Sequence, residues 1–180
     1  MTRIAFPSAL LVLALAGATP LAAQEPPAHE RHVGRPKAIV QERSVASLPA
    51  EETAGLLEGS GMGMALVAEL NHYPGPRHVL DLGDALELSP EQRRATEQIF
   101  RRMSDRAMEL GAKIVEGEKA LDAAFASGEI ERATLERSVA AIANLRGELR
   151  AVHLLAHLEM KAVLTPAQVA AYERLRSRAP

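Results

Sequence analysis

The sequence predicts an all-α protein built on one long antiparallel helical hairpin, with short helices at its N- and C-terminal ends, four to five helices in a hooked arrangement. Three observations predict it. Aromatic residues are only 3% of the 180-residue chain, while alanine and leucine are abundant, a composition that favours helices over a sheet. A five-residue phrase occurs twice, LSPEQ at residues 88–92 and LTPAQ at residues 164–168, and each copy reads as a helix start. Between the copies lie two long stretches whose apolar residues recur at helical, heptad-like spacing.

The first 23 residues carry one positive charge, Arg3, then an apolar run ALLVLALAGA and a small-residue end PLAA. This is the layout of a secretory signal peptide. The run is too short for a comfortable membrane span, so cleavage is expected after Ala23, with Ala18 as the alternative, and export to the periplasm follows. Retention of the segment would instead tether the protein to a membrane. Residues 24–47 are rich in proline and charge without a sustained apolar period, and read as a mobile arm.

A first helix is expected from Pro49, capped by Ser47, interrupted at GSGMG (residues 59–63) and continuing to about Leu70. NHYPGP at residues 71–76 must turn, because Pro74 and Pro76 do not fit a helix interior. A short helix follows over residues 77–88. LSPEQ then opens the first long helix: Ser89 caps it, Pro90 takes the first helical position, where its missing N–H is no loss, and Gln92 closes a capping box. From Pro90 to about Ala126 the seam is Phe100, Met103, Ala107, Leu110, Ile114, Gly117, Leu121 and Ala124. SGE at residues 127–129 breaks it. The return helix, about Arg132 to Val163, has its seam in Leu135, Ile142, Leu145, Leu149, Val152, Ala156 and Val163. In LTPAQ, Thr165, Pro166 and Gln168 repeat the capping roles for a last short helix, with Val169 placed to staple onto Leu164. Residues 48–180 thus form one helical domain. The stretch 151–164 is apolar on nearly every side, so more than one neighbour must cover it, and a homodimer is expected.

There is no cysteine, which removes disulfides, thiolate ligation and thiol catalysis. Loss of Arg3 with the signal segment takes Lys+Arg from 21 to 20 against 23 acidic residues, a balance of −3. Nucleic-acid binding would want a basic surplus. No glycine-flanked serine elbow, HExxH or phosphate-binding glycine loop occurs. GSGMG has glycines at suggestive spacing but no preceding strand, which excludes a dinucleotide site. A protein that works by binding is expected, not an enzyme.

The two L(S/T)PxQ phrases framing a long hairpin in an exported, cysteine-free chain resemble the Spy/CpxP group of periplasmic proteins and its metal-sensing relatives ZraP and CnrX. GMGMALVAELNHYPGPRHVLDLGDALELSPEQ resembles the branch of periplasmic heavy-metal sensors and Spy/CpxP-type chaperones, and the likeness covers residues 48–176. The resemblance implies an extracytoplasmic stress or metal-response protein without enzymatic turnover. Spy-like members hold unfolded clients on a helical dimer without ATP, CpxP-like members also restrain a sensor kinase, and CnrX-like members bind nickel or cobalt and signal to an anti-sigma factor. Fold analogy does not select among these outputs.

His153 and His157, four apart on the return helix, lie one above the other, and Met160 extends their stripe; two such imidazoles can share one divalent metal. Glu159 lies just off that line as a possible carboxylate donor. CnrX-like sensors place a histidine and a methionine four apart before the last phrase, and the resemblance puts His153 and His157 in those places, with a second histidine for the methionine. Nickel, cobalt, zinc or copper would want further ligands; His72 and His78 flank the YPGP turn and are the candidates, with His29 and His32 of the arm as a lid. The alternative reading of the pair is structural, each imidazole hydrogen-bonded to a carbonyl or to Glu159. Arg93, Arg94, Arg101, Arg102 and Arg106, among Glu91, Glu97, Asp105 and Glu109, read as a solvated face with pairs such as Glu97 and Arg101, or as a strip for acidic partners. Met62 and Met64, between glycines, are candidate adaptable client contacts, and Met103 and Met108 sit in or beside the seam.

Overall fold

The computed structural model describes residues 45–177; the expected signal segment and most of the arm, with His29 and His32, lie outside them. Among the described residues there are six helices and no strand: α1 Ala50–Leu57, α2 Leu66–Glu69, α3 Pro76–Asp81, α4 Pro90–Ala126, α5 Arg132–Val163 and α6 Pro166–Arg176. The all-α hairpin is as the sequence predicts, and both long helices begin and end at the expected residues.

Those boundaries have local causes. Ser89 Oγ accepts from the Gln92 backbone at 3.2 Å while Gln92 Oε1 accepts from the Ser89 backbone at 3.1 Å, a closed capping box. Thr165 and Gln168 repeat it at 3.2 and 3.0 Å. The far end of α4 stops at Ser127, after which Gly128 takes a left-handed φ of 73°, a conformation glycine adopts without steric cost. At 1.5 Å per residue α4 is about 55 Å long, and α5 returns along it.

Two apolar clusters hold shorter elements against the pair. Val45, Leu48 and Leu56 pack on Ala107, Leu110, Ile114, Val115 and Leu149, which seats α1 on the middle of the hairpin. Val79, Leu86 and Tyr172 pack with Ile99, Ala156, Met160 and Leu164, which gathers α3 and α6 at its open end. Each fully buried leucine or isoleucine here contributes about 1.5–3 kcal/mol. The close seat of α1 depends on Gly111, where any Cβ would collide with the Leu56 carbonyl.

Several expectations are corrected. The first helix does not resume across GSGMG: Gly59, Met62 and Gly63 have φ of 66°, 43° and 74°, so the chain reverses and only the single turn α2 follows. Ser47 does not cap α1. Its hydroxyl donates to Glu118 at 2.8 Å, and α1 starts at Ala50 with Pro49 in the N-cap position and no side-chain cap. The helix expected over residues 77–88 is α3, which takes Pro76 as its first residue and ends at Asp81; beyond it the Arg93 guanidinium crowds Gly83, and Glu87 turns the chain at φ 51°. Among the described residues there are six helices where four to five were expected. Val45, only 1% exposed, places the last residues of the expected arm in the packed region. On α4, Thr96 and Ile99 are buried and Phe100 only half so, because α3 and α6 approach from the side and shift the covered face. The basic strip pairs across the hairpin as well as along α4, Arg102 with Glu159 at 2.6 Å and Arg106 with Glu148 at 3.1 Å.

Candidate metal-binding site

The turn between α2 and α3 is what makes the histidine pair unusual. His72 adopts a left-handed φ of 66°, which folds Tyr73 down onto α5. There the Lys161 ammonium sits 3.9 Å from the centre of the Tyr73 ring, a cation–π contact, and the Tyr73 carbonyl accepts from His157 Nδ1 at 2.8 Å. A carbonyl only accepts, so Nδ1 carries the hydrogen. In the neutral ring Nε2 is then left with its lone pair, the orientation that metal-ligating histidines obtain from a backbone carbonyl.

His153 lies one turn earlier on α5 and is 3% exposed, with an Nε2 that has no hydrogen-bond partner. Burial, with the neighbouring His157 adding to it, holds its pKa below the ordinary histidine value. The imidazole is therefore kept neutral near pH 7, the form a metal requires. Both rings line a cavity of about 410 Å³, bounded also by Glu69, His78, Met62 and Met103.

Of the residues named from sequence, the structure brings His153, His157 and His78 to this cavity. His78 Nε2 is 3.9 Å from Glu69 Oε1 and its Nδ1 3.8 Å from Asp81. The others lie elsewhere. His72 pairs with Glu173 at 2.6 Å and lines a separate cavity of about 350 Å³ beside Lys161 and Pro166. Glu159 is taken by Arg102. Met160 is fully buried in the second apolar cluster, where its thioether has packing partners rather than open space. His29 and His32 fall outside the described residues. The residue that sequence reasoning missed is Glu69, whose carboxylate faces the same cavity; nothing in its local sequence marks it, since only the turn at residues 71–75 brings it to α5.

Gly75 shapes the space between them. A Cβ built there would lie 2.9 Å from His157 Cε1, 3.1 Å from His157 Nε2 and 3.6 Å from Glu69 Oε1. Its φ of −86° and ψ of 141° are ordinary extended backbone, so the position wants glycine for room and not for conformation. Among the described residues no three His, Asp or Glu side chains are gathered closely enough to enclose a metal ion. What stands together is two imidazoles with unpaired nitrogens, a loosely held carboxylate and the gap that Gly75 leaves.

The family model described as heavy-metal resistance matches residues 59–171, from the GSGMG loop into α6. No curated protein and no solved structure matches the chain. With well over half of its length matched, and both imidazoles inside the match, the chain belongs to the heavy-metal resistance family, the Spy/CpxP/ZraP-like group.

Proposed function

We propose that this is an exported, non-enzymatic member of the family that takes up a divalent first-row cation at His153 and His157. The observation that carries it is the His157 Nδ1–Tyr73 carbonyl bond of 2.8 Å beside the buried, unpartnered Nε2 of His153. A structural pair would be expected to satisfy both rings. Nitrogen donors of this kind suit nickel, cobalt, zinc or copper(II). His78 stands in the cavity wall as a further donor.

Calorimetric titration of the mature protein with Ni²⁺, Co²⁺, Zn²⁺ and Cu²⁺, beside a His153→Ala/His157→Ala variant, tests the reading. A stoichiometric site that vanishes in the variant is the expected result. Binding no tighter than about millimolar for all four ions, too weak for a dedicated site, overturns it.

A second reading has its own observation. Leu66, Val67, Leu70, Leu155 and Leu158 are each 50% exposed or more, apolar surface of the kind that marks an interaction site. It suits a second copy of the chain or partly unfolded clients, as in an ATP-independent chaperone. Suppression of client aggregation that survives His153→Ala/His157→Ala but is lost on replacing Leu155 and Leu158 with serine would favour this use. A sensor kinase or anti-sigma factor is the proposed recipient of either signal, and the mass of the mature protein reports whether residues 1–23 are removed or kept as a tether.

A further inference from the structure

We infer that Glu69 is the carboxylate that completes the cation site, and that it reaches the metal by leaving the last turn of α6. The inference rests on the metal-binding reading above and adds to it a ligand and a moving part.

Glu69 ends the single-turn α2 and projects towards α5 and α6. Its Oε2 is 3.8 Å from Arg176 and its Oε1 3.9 Å from His78 Nε2. Both distances exceed hydrogen-bond range, so the carboxylate makes no hydrogen bond to either group, and its attraction to the Arg176 guanidinium is weak. Tyr172 lies on the same side. Its hydroxyl approaches both the Gly75 backbone and the Arg176 guanidinium without reaching hydrogen-bond geometry with either. Burial, with the charge of Glu69 adding to it, pushes its phenol pKa up, so it is no anionic rival for the cation.

The gap at Gly75 gives the carboxylate its path. Glu69 Oε1 and His157 Nε2 lie 3.6 and 3.1 Å from the place where a Cβ would stand. Since the Gly75 backbone is ordinary, what the missing Cβ provides is access of the carboxylate to the imidazole. Two neutral nitrogens and one carboxylate oxygen form a donor set for a borderline divalent cation, and the carboxylate brings the negative charge that two imidazoles lack. Arg176 and the cation are then competitors for one anion. Occupation of the site takes Glu69 away from the guanidinium, which keeps Tyr172 as a neighbour, and so loosens the last turn of α6 from α2; the cation state is then expressed on the surface of the C-terminal helix.

Zinc affinity of the full mature chain, measured by competition with a chromogenic chelator, tests this with four variants whose thermal melts confirm folding. Glu69→Gln is expected to weaken binding roughly tenfold or more, the scale for loss of a metal-supporting group, and Gly75→Ala to weaken it in the same direction by filling the path. Arg176→Gln is expected to tighten binding about two- to fivefold, the worth of a weak exposed ion pair, a gain that a merely structural role would not produce. If His153→Ala/His157→Ala abolishes binding while Glu69→Gln binds as the parent does, the carboxylate inference is overturned and the histidine site stands. Unchanged affinity in Arg176→Gln overturns the exchange with α6. Parent-like binding by the double histidine variant overturns the site itself.

Discussion

Gln92 and Gln168, seventy-six residues apart, exchange hydrogen bonds through their side-chain amides: Gln92 Nε2 donates to Gln168 Oε1 at 2.8 Å, and Gln168 Nε2 donates back to Gln92 Oε1 at 3.0 Å. Each also donates to a backbone carbonyl across the fold, Gln92 to Val163 at 3.0 Å and Gln168 to Leu86 at 3.2 Å. The repeated phrase therefore does two jobs. It caps each helix, and it ties the two caps to each other at the open end of the hairpin.

Because the two amides satisfy one another in a partly buried place, removing one leaves the other short of partners. Gln92→Ala and Gln168→Ala are each expected to cost about 1–3 kcal/mol. The double variant should cost clearly less than their sum. Urea denaturation of the four proteins measures the coupling; strict additivity would mean that the amides act only as separate caps.

His153 carries a buried Nε2 that the fold leaves unpaired. His153→Leu removes that polar atom and keeps most of the volume, so the metal-free protein should gain about 1 kcal/mol or more while losing metal affinity. A rise in Tm in the presence of EDTA is the expected outcome. A fall would show that the ring is supporting the fold.

Acid should act through the same side chain. The folded pKa of His153 lies below its ordinary value of 6.5, so as pH falls past about 6.5 the unfolded chain takes up a proton that the folded chain refuses. Stability is fully present above that value and declines as pH drops through it towards the folded pKa. Urea midpoints in EDTA between pH 7.5 and 5.5 should fall, and His153→Leu should flatten that part of the slope. Glu58, Glu69, Arg77, His78 and His157 line the same cavity and are present in both proteins, so the difference between the two slopes reports the His153 imidazole together with its coupling to His157. Identical slopes would remove burial of this imidazole as a source of the acid sensitivity.

Gly111→Ala should destabilise against its local propensity. Alanine in mid-helix normally gains about 1 kcal/mol over glycine, yet here the added methyl would collide with the Leu56 carbonyl, and backbone yields poorly. A net loss of about 1–3 kcal/mol, the usual cost of overpacking, is expected by thermal or urea melts. A gain would mean that α1 moves away from the hairpin at little cost.

The hairpin was readable because its signals are local: proline after a capping hydroxyl, glutamine two positions beyond that proline, and seams that keep one period over thirty residues. Gly111, by contrast, gives no sign of which neighbour needs its space, and the seam read from sequence named Gly117 instead. Ser47 resembled a cap, but a longer-range acceptor, Glu118, claimed its hydroxyl. For the site, the helical spacing of His153 and His157 was legible, and so was the place of His78 beside the turn. The same spacing also promoted Met160, which lies one helical step further along the stripe, where Val79, Leu86 and Tyr172 cover it. Glu69 could not be seen at all, since its nearness to His157 depends on how a five-residue turn lands on a helix more than eighty residues away.

From Glu116 to Ala141 no residue is buried, and Phe125 and Val139 stand about half exposed. The last ~16 Å of α4 and the facing turns of α5 are thus held by little beyond each other, the low-stability end of the molecule where local opening begins. Hairpin length is consequently a free parameter: turns can be added or deleted in pairs at the tip without disturbing the glutamine tie or the cavity, so reach can diversify while the chemistry at the opposite end stays fixed.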